Sequence, residues 1–269
     1  MAQLDTPDYV IDGELIVYRD DTIQSFNELQ KRLGRKKVSK NMLKNYPCSI
    51  ITYDLLEYDG QDYRSKTLKE RRVILQNLLS EINIQSNGNQ VLYFSEAIEF
   101  DSWSKLVQIR EKSREKNSEG LMLKLKDGVY KDGRKKGEWW KWKVDPYTVD
   151  AVMLYAQRGH GRRSNLFTDF TFAVWNEDGK LVPFTKAYSG LTDKEFAEVT
   201  RFVNKNTIER FGPVRSVHPE LVFEIAFEGI NESKRHKSGI ALRFPRIKRW
   251  RRDKPAKEAD TLKNLKLLL

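Results

Sequence analysis

The sequence predicts an α+β fold with two domains, each built on antiparallel β-sheet. In the first half, short runs in which apolar and polar residues alternate, as half-buried strands do, are interspersed with helix-capping motifs. After Asp145-Pro146 the pattern changes to several short strands with a single intervening helix, which is typical of a small β-barrel. We therefore expect one domain at residues 1–146 and a second at residues 147–269.

Bulk composition narrows the class of protein. Hydrophobic residues make up 39% of the 269 residues and charged residues 32%, which is enough apolar material for a core. The net charge of +11 favours an anionic polymer as partner, nucleic acid first and an anionic membrane surface second. Because no apolar run reaches about 18 residues and the start lacks signal-peptide features, we expect no membrane partner and a cytoplasmic, nucleoid-associated protein. The single cysteine, Cys48, excludes an internal disulfide and a cysteine-based zinc site.

The elements of the first domain follow from local patterns. Strands are predicted at residues 9–18, 47–57 and 91–94, where apolar residues alternate or run together. Helices are predicted to begin at two capping boxes, Ser25 to Glu28 and Thr67 to Glu70, because a hydroxyl followed three residues later by glutamate satisfies the first backbone donors. A third helix is predicted at residues 103–112.

Residues 119–143 are predicted to form two strands joined by a hairpin around Asp132-Gly133. Because side chains alternate along a strand, Lys141 and Lys143 share one face and Trp140 and Trp142 the other. A pair of cations near a carboxylate suits binding of a phosphate beside a metal ion. An ordinary solvated strand face explains the same pattern.

The second domain is predicted to contain strands at residues 149–156, 167–175, 181–188 and 221–227. One helix begins at a third capping box, Thr192 to Glu195, and is expected to end near Gly212-Pro213. Short strands around one helix make the OB-fold, a small barrel that binds nucleic acids, a candidate for this domain.

Two basic segments of the second domain are candidates for DNA binding. Residues 157–163 join two predicted strands; their glycines let the backbone approach a phosphate, and Arg158, Arg162 and Arg163 neutralise it. A mobile basic loop is the alternative. Residues 242–254 hold seven Arg or Lys in thirteen residues, including Arg243 and Arg246, interleaved with aromatic residues. The alternative here is a disordered basic tail.

Three single residues of the first domain also suggest chemistry. Glu14, in Asp12-Gly13-Glu14, has a carboxylate that could hold a divalent cation or a ribose hydroxyl, although a turn at a strand kink explains the same residues. Tyr53 could stack on a nucleobase, but packing in the core is the default interpretation of an aromatic residue at this position. Glu119 could be a second metal carboxylate or a loop charge.

Taken in order, five segments resemble the motifs of the ATP-dependent DNA ligases, within the covalent nucleotidyltransferase superfamily. They are IDGEL at 11–15, TYDLLEYDG at 52–60, EGLMLK at 119–124, WWKWK at 139–143 and RFPRIKRWRRDK at 243–254, which resemble motifs III, IIIa, IV, V and VI. FNELQKRLGRKK at 26–37 resembles bacterial members. The resemblance covers almost the whole chain and implies an incomplete nucleotidyltransferase (adenylation) domain followed by an OB-fold β-barrel domain.

The resemblance also implies roles for individual residues. Glu14 would contact the ribose or the metal, Tyr53 would stack on adenine, and Glu119 would help bind the metal; Lys124 lies in the same motif. Lys141 and Lys143 would hold the α-phosphate. The residues implied to orient the β- and γ-phosphates are Arg249, Arg251, Asp253 and Lys254. ATP and Mg²⁺ (or Mn²⁺) are the implied cofactors, and nicked double-stranded DNA is the implied partner.

One motif of the family has no match in the printed sequence. The nucleophilic lysine of the family lies in K-x-D-G, upstream of motif III, but the eleven residues before Asp12 contain no lysine. Lys131-Asp132-Gly133 lacks the spacer residue, and residues 57–60 have glutamate in place of lysine. We therefore expect the C-terminal part of a ligase, either a truncated product or one chain of a split enzyme, that does not self-adenylate.

One further expectation and two alternatives accompany this interpretation. The first domain should expose apolar surface or an open sheet edge where further strands normally pack. The alternatives are a non-catalytic nucleic-acid-binding module that uses the second domain, and an RNA ligase or capping-type relative.

Overall fold

The computed structural model describes residues 7–85, 90–133 and 135–269. The chain divides into two units, unit 1 at Met1–Val144 and unit 2 at Asp145–Leu269. Sheets of almost entirely antiparallel strands with flanking helices confirm the predicted α+β class. Within the described residues, no helix combines the length and apolar character needed to cross a membrane.

Unit 1 holds a mixed set of strands and helices. Its described strands are β1 Tyr9–Arg19, β2 Thr22–Ile23, β3 Cys48–Tyr58, β4 Gln61–Asp62, β5 Leu92–Phe94, β6 Gly120–Lys124 and β7 Trp139–Lys143. Its described helices are α1 Phe26–Gln30, α2 Lys40–Asn45, α3 Leu68–Gln85 and α4 Trp103–Glu111, with a 3₁₀-helix at Lys112–Lys116.

The main sheet of unit 1 has the order β2-β1-β3-β4, with β5 added parallel to β3. Helix α3 covers it and buries an aliphatic core. The core residues are Leu55, Leu75, Leu78, Leu79, Ile82 and Leu92. The pairing of β1 with β3 shifts register between Asp12 and Gly13. A Cβ at Gly13 would come within 2.6 Å of Ile50 Cγ2, so this close approach of the two strands requires glycine.

Two of the three predicted capping boxes form. The Thr67 hydroxyl accepts from the Glu70 amide, and the Glu70 carboxylate accepts from the Thr67 amide at 2.9 Å. Ser25 is the N-cap of α1 as predicted, but the capping box predicted there does not form, because the Ser25 side chain makes no capping hydrogen bond. The Glu28 carboxylate, which would complete that box, is paired with Lys31 instead.

One edge of the main sheet is open. Strand β1 pairs with β3 along one side, but on its other side only Tyr18 and Arg19 pair with β2. Residues 9–16 therefore have no strand partner on that side among the described residues. Val10 and Leu15 on this strand are exposed at 41% and 43%. The sequence-based expectation of an open edge and exposed apolar surface agrees with this arrangement.

Unit 2 is mostly strand. Its described strands are β8 Tyr147–Arg158, β9 Phe167–Trp175, β10 Leu181–Ala187, β11 Thr207–Phe211, β12 Val214–Val217, β13 Val222–Phe227, β14 Gly229–Glu232, β15 Ile240–Arg243 and β16 Arg246–Trp250. Its described helices are α5 Asp193–Lys205 and α6 Leu262–Lys266, with 3₁₀-helices at Gly161–Arg163 and Ala256–Glu258.

The sheet of unit 2 is built around the long strand β8. Strand β8 pairs with β9 on one edge and with β12 and β13 on the other, and β13 continues to β16. Phenylalanines dominate the core, with Phe170, Phe172 and Phe223 fully buried. Helix α5 packs on this core and begins at the third capping box, Thr192 with Glu195.

The predicted closure into a barrel is wrong, because the sheet does not close. Among the described residues no ladder joins β10 to β16, and a single backbone hydrogen bond, Ile247 N–H to Ser189 O at 2.9 Å, spans the gap. The predicted end of the helix near Gly212 is also wrong. Helix α5 ends at Lys205, and residues 207–211 form β11. The basic segment 242–254 is ordered, since it contributes to β15 and β16.

Candidate functional site

The carboxylate of Asp12 lies at the β1 bulge and accepts hydrogen bonds from two phenols. Tyr53 Oη donates to Oδ1 at 2.9 Å, and Tyr130 Oη donates to Oδ2 at 3.1 Å. Burial and the neighbouring Asp12 raise the pKa of Tyr53, so the phenol keeps its proton. Tyr53, the predicted adenine-stacking residue, is thus half-buried and fixed in orientation, while Glu14 lies exposed two residues beyond Asp12.

Lys124 lies in a cage of aromatic rings beside this carboxylate. Its Nζ is 3.8 Å from the ring centroids of both Tyr53 and Trp139. Trp139 meets Tyr53 edge-on, with ring centroids 6.2 Å apart. The ammonium is buried and has no hydrogen-bond partner among the described residues. Burial lowers the pKa of Lys124 to about 8, although Asp54 and Asp12 act in the opposite direction.

The β6–β7 hairpin presents the predicted phosphate-binding lysines on the same face as Lys124. Strand register pairs Lys124 with Trp139, Met122 with Lys141 and Gly120 with Lys143. Since paired residues project to the same side, Lys124, Lys141 and Lys143 share one face. The register places Trp140 and Trp142 on the other face, as predicted. A Cβ at Gly120, whose φ is +145°, would lie 2.4 Å from Trp142 O, so this pairing requires glycine.

Glu119 and Lys143 form an ion pair, with Glu119 Oε2 2.7 Å from Lys143 Nζ. Within the described residues, no group of three or more His, Cys, Asp and Glu side chains is arranged to bind a metal ion. Mg²⁺ is often bound by only one or two protein carboxylates together with phosphate oxygens and waters. The metal role of Glu14 and Glu119 stays a prediction.

Beneath the site lies a fully buried ion pair that sequence reasoning missed. Arg71 Nε and Nη2 donate to Asp54 Oδ1 and Oδ2 at 2.7 and 2.8 Å, and both side chains are 0% exposed. The next residue, Arg72, donates to the backbone carbonyl of Ser95 at 2.6 Å. The first contact ties α3 to β3, the strand that carries Tyr53, and the second ties α3 to the residue that follows β5. A sequence signal was present, namely an aspartate inside a buried strand and two arginines in the helix that covers it.

In unit 2, the predicted pyrophosphate residues are held by buried carboxylates. Glu224 on β13 pairs with Arg249 and with Lys248, whose Nζ lies 2.8 Å from Oε1. Although burial acts against it, hydrogen bonds from both cations lower the pKa of Glu224. Arg249 and Lys248 are themselves exposed, at 60% and 53%, so their charged groups face solvent.

Asp150, which was not among the predicted site residues, binds the other two predicted cations, Arg251 and Lys254. Its Oδ2 accepts from Arg251 Nη1 at 2.6 Å and from Lys254 Nζ at 2.8 Å. Arg251 also donates to Asp253, and this contact lowers the pKa of Asp253 to about 2. The exposed fraction is only 18% for Arg251 and 22% for Lys254. No local pattern points to Asp150, which lies more than a hundred residues before the segment that it binds.

The predicted DNA-binding arginines lie in ordered segments of unit 2. Arg158 ends β8, and Arg162 and Arg163 lie in the 3₁₀-helix, with Arg163 3.1 Å from Asp193. A Cβ at Gly159 would approach Thr168 Oγ1 to 2.6 Å, so this loop packs closely. Arg243 ends β15, and Arg246 begins β16 at 3.0 Å from Glu228. Their DNA contacts stay predictions.

Two solved structures illustrate the likeness of the fold. One described as Pmar-Lig_PreS3 matches with a TM-score of 0.68 and 19% identity, over 91% of this chain and 51% of that chain. A second, from a structure-function analysis of Lig E DNA ligases, has a TM-score of 0.60 and 19% identity, over 90% of this chain and 76% of that chain. At these identities the likeness shows the fold alone.

Sequence comparison identifies the family. A model of the ATP dependent DNA ligase domain matches residues 1–143, and a model of the ATP dependent DNA ligase C terminal region matches residues 163–254. A probable DNA ligase of Koribacter versatilis (strain Ellin345) is 39% identical over 94% of this chain and 46% of its own length. The chain thus spans about half the length of that relative. With both domain models matched in order, the chain belongs to the ATP-dependent DNA ligase family.

Proposed function

We propose that this chain contributes the nucleotide- and nick-binding part of an enzyme that seals nicks in double-stranded DNA at the expense of ATP. The observation that carries the proposal is the shared face of the β6–β7 hairpin. It holds Lys124, Lys141 and Lys143 with Glu119 at its end, and Lys124 contacts the ring of Tyr53. Cations beside an aromatic ring suit a nucleotide, whose base stacks and whose phosphates carry the charge.

Three chemical steps make up the proposed reaction. A lysine amine forms a bond to the ATP α-phosphorus and pyrophosphate leaves; the AMP then passes to the 5′-phosphate of the nick; finally the 3′-hydroxyl attacks that phosphorus and AMP leaves. Negative charge develops on phosphoryl oxygens in every step. Lys141 and Lys143 would stabilise that charge, and a bound Mg²⁺ or Mn²⁺ would supply further neutralisation. Glu14 and Glu119 would hold the metal.

The groups in unit 2 support the parts assigned to it. Arg249 is exposed, and Lys254 has two N–H donors besides the one that binds Asp150, so both can donate to a departing pyrophosphate. All three guanidinium nitrogens of Arg251 already donate to Asp150 or Asp253, so we assign it chiefly to holding this segment in place. Arg158, Arg162, Arg163, Arg243 and Arg246 would contact DNA phosphates, in keeping with a cytoplasmic, nucleoid-associated enzyme.

We further propose that the nucleophilic lysine is supplied by another segment of the enzyme, in the same polypeptide or in a separate chain. The open edge of β1 supports this, because residues 9–16 offer backbone groups to an added strand close to Asp12. Labelled ATP with Mg²⁺ should then leave no covalent AMP on these 269 residues. A labelled lysine adduct would contradict this part of the proposal.

The main test uses a nick that already carries AMP on its 5′-phosphate, since sealing it needs no lysine nucleophile. The chain should seal this substrate, and Lys141→Ala should slow sealing by about 100-fold, as expected for removing one donor to a developing charge. Lys69→Ala, an exposed lysine on α3, is the matched control and should leave the rate unchanged. Equal rates for Lys141→Ala and wild type would refute the assignment. Faster sealing of an RNA nick than of a DNA nick would favour an RNA ligase. DNA binding without any sealing would favour a non-catalytic module.

A further inference from the structure

The turn between β14 and β15 carries a succession of basic residues that the motifs do not include. We call residues 233–239 the basic tip. Lys234, Arg235, His236 and Lys237 follow one another in it, and all are exposed. Among the described residues, none of these four side chains forms an ion pair or a side-chain hydrogen bond that the structure records. Their charge is therefore directed to solvent.

The basic tip is an ordered turn. Its ends are joined by a hydrogen bond from Ser233 N–H to Gly239 O at 2.8 Å, and Gly239 N–H donates to His236 O at 2.9 Å. Ser238 is 1% exposed, and its hydroxyl donates to the Ile240 carbonyl at 3.3 Å. Gly239 has a φ of +77°, which favours glycine. Because the turn is anchored in this way, the backbone that carries its basic side chains is fixed before any ligand binds, which lowers the entropic cost of binding.

The basic tip differs from three arginines of the segment 243–254. Arg246, Arg249 and Arg252 each pair with a carboxylate, Glu228, Glu224 and Glu198 in turn. The basic tip instead borders a hollow of about 440 Å³ that is also lined by Lys266 and by one acidic side chain, Glu232. Because positive charge is locally in excess, the hollow and its rim favour the binding of an extended polyanion.

We propose that the basic tip binds the phosphate backbone of duplex DNA, as a contact separate from the family motifs. The proposal rests on the proposed function, because it takes DNA as the substrate of the enzyme. The same hairpin carries Arg243 at the end of β15, about 14 Å along the strand from Gly239 at the usual rise per residue. A single hairpin thus links a predicted DNA contact to the basic tip. Duplex DNA, with one charge per about 1.7 Å of axis, offers phosphates over such a span.

The test measures the salt dependence of DNA binding by the 269-residue chain. A nicked duplex is titrated between 50 and 200 mM KCl with wild type and with Lys234→Ala/Arg235→Ala/Lys237→Ala. Loss of three phosphate contacts should lower the slope of log K against log salt by about 2 to 3, so binding should be weakened more at 50 mM than at 200 mM KCl. The control, Lys180→Ala/Lys194→Ala/Lys205→Ala, removes the same charge from exposed lysines of unit 2 and should change both quantities much less. In a second experiment, binding of the same proteins to anionic phospholipid vesicles is measured.

Each outcome bears on the proposal. A reduced slope in the tip variant alone supports it. An unchanged slope, or an equal fall in the control, contradicts the basic tip while leaving the proposed function intact. Wild type that does not bind the duplex at 50 mM KCl contradicts both. If the tip variant loses binding to vesicles but not to DNA, the basic tip contacts a membrane surface and the proposal is wrong. Since the altered side chains are exposed, unchanged circular dichroism and thermal unfolding are expected and are measured alongside.

Discussion

The two units differ in whether the cations of their predicted sites are paired with carboxylates. In unit 2, the cations of the C-terminal motif are neutralised by carboxylates, Glu224 and Asp150, on strands of a large aromatic core. In unit 1, the core is smaller and aliphatic, and the fully neutralised pair, Asp54 with Arg71, lies beneath the site rather than in it. Lys124 and Lys141 have no ion-pair partner among the described residues.

The difference indicates what each unit has to do. A cation that already pairs with a carboxylate mainly stabilises the fold. It contributes less free energy to the binding of an added anion, because its charge is already neutralised. Lysines without a carboxylate partner leave their charge for a ligand, at the cost of desolvation when they are buried. In unit 1, residues 9–16 of β1 also have no strand partner on one side among the described residues. We therefore interpret unit 1 as the part that leaves lysines of the site and a sheet edge without partners, and the C-terminal motif of unit 2 as a segment whose cations are largely held by carboxylates.

The largest effect should come from breaking the buried pair of unit 1. Asp54→Ala leaves the Arg71 guanidinium buried without a counter-charge, so we expect the free energy of unfolding to fall by about 3 to 5 kcal/mol. Urea unfolding followed by hydrogen exchange of β3 amides measures this. In unit 2, Met153→Leu conserves the volume of a fully buried side chain and should cost less than about 1.5 kcal/mol. Similar losses for the two variants would contradict the contrast between a charge-dependent and a packing-dependent interior.

A smaller effect should appear as a pH dependence at Lys124. Its folded pKa, about 8, lies below the ordinary value of 10.5, so the unfolded state binds more protons between these values. The free energy of unfolding should therefore rise with pH from about 8 to 10.5, by at most about 1.4 kcal/mol per pH unit and by less where solvent screens the charge. Lys124→Met should lack this rise, whereas Lys105→Met, at an exposed position, should keep it. Urea midpoints followed by tryptophan fluorescence test the difference, and identical pH profiles for all three proteins would refute it.

The smallest effect is a comparison of helix caps. Thr67→Ala in unit 1 and Thr192→Ala in unit 2 each remove a formed capping box and should cost about 1 kcal/mol. Ser25→Ala has the same sequence motif but no capping hydrogen bond, so it should cost less than about 0.5 kcal/mol. Denaturant midpoints of the three variants measure these losses in the free energy of unfolding. A cost at Ser25 equal to the other two would mean that the sequence motif, rather than the formed bond, determines stability.

Much of the fold could be predicted because its signals are local. Alternation predicted β9 at the bounds that the structure has, and it located β1, β3 and β13 to within a residue or two. Failures came where tertiary packing decides. Residues 207–211 continue an apolar pattern after α5, yet they form β11 because β12 offers a partner. Closure of a sheet depends on the meeting of its two edge strands, which no local pattern specifies.

The sequence by itself determined which residues alternate on a strand face, where helices α3 and α5 begin, and the order of the motifs. These depend on neighbours a few residues apart. Only the tertiary structure decided which carboxylates meet which cations and phenols. Asp150 contacts Arg251 across 101 residues of sequence, and Asp12 contacts Tyr130 across 118. Such contacts form because burial makes an unpaired charge or phenol costly, so each buried group is held by whichever partner the packed sheets bring within hydrogen-bond distance.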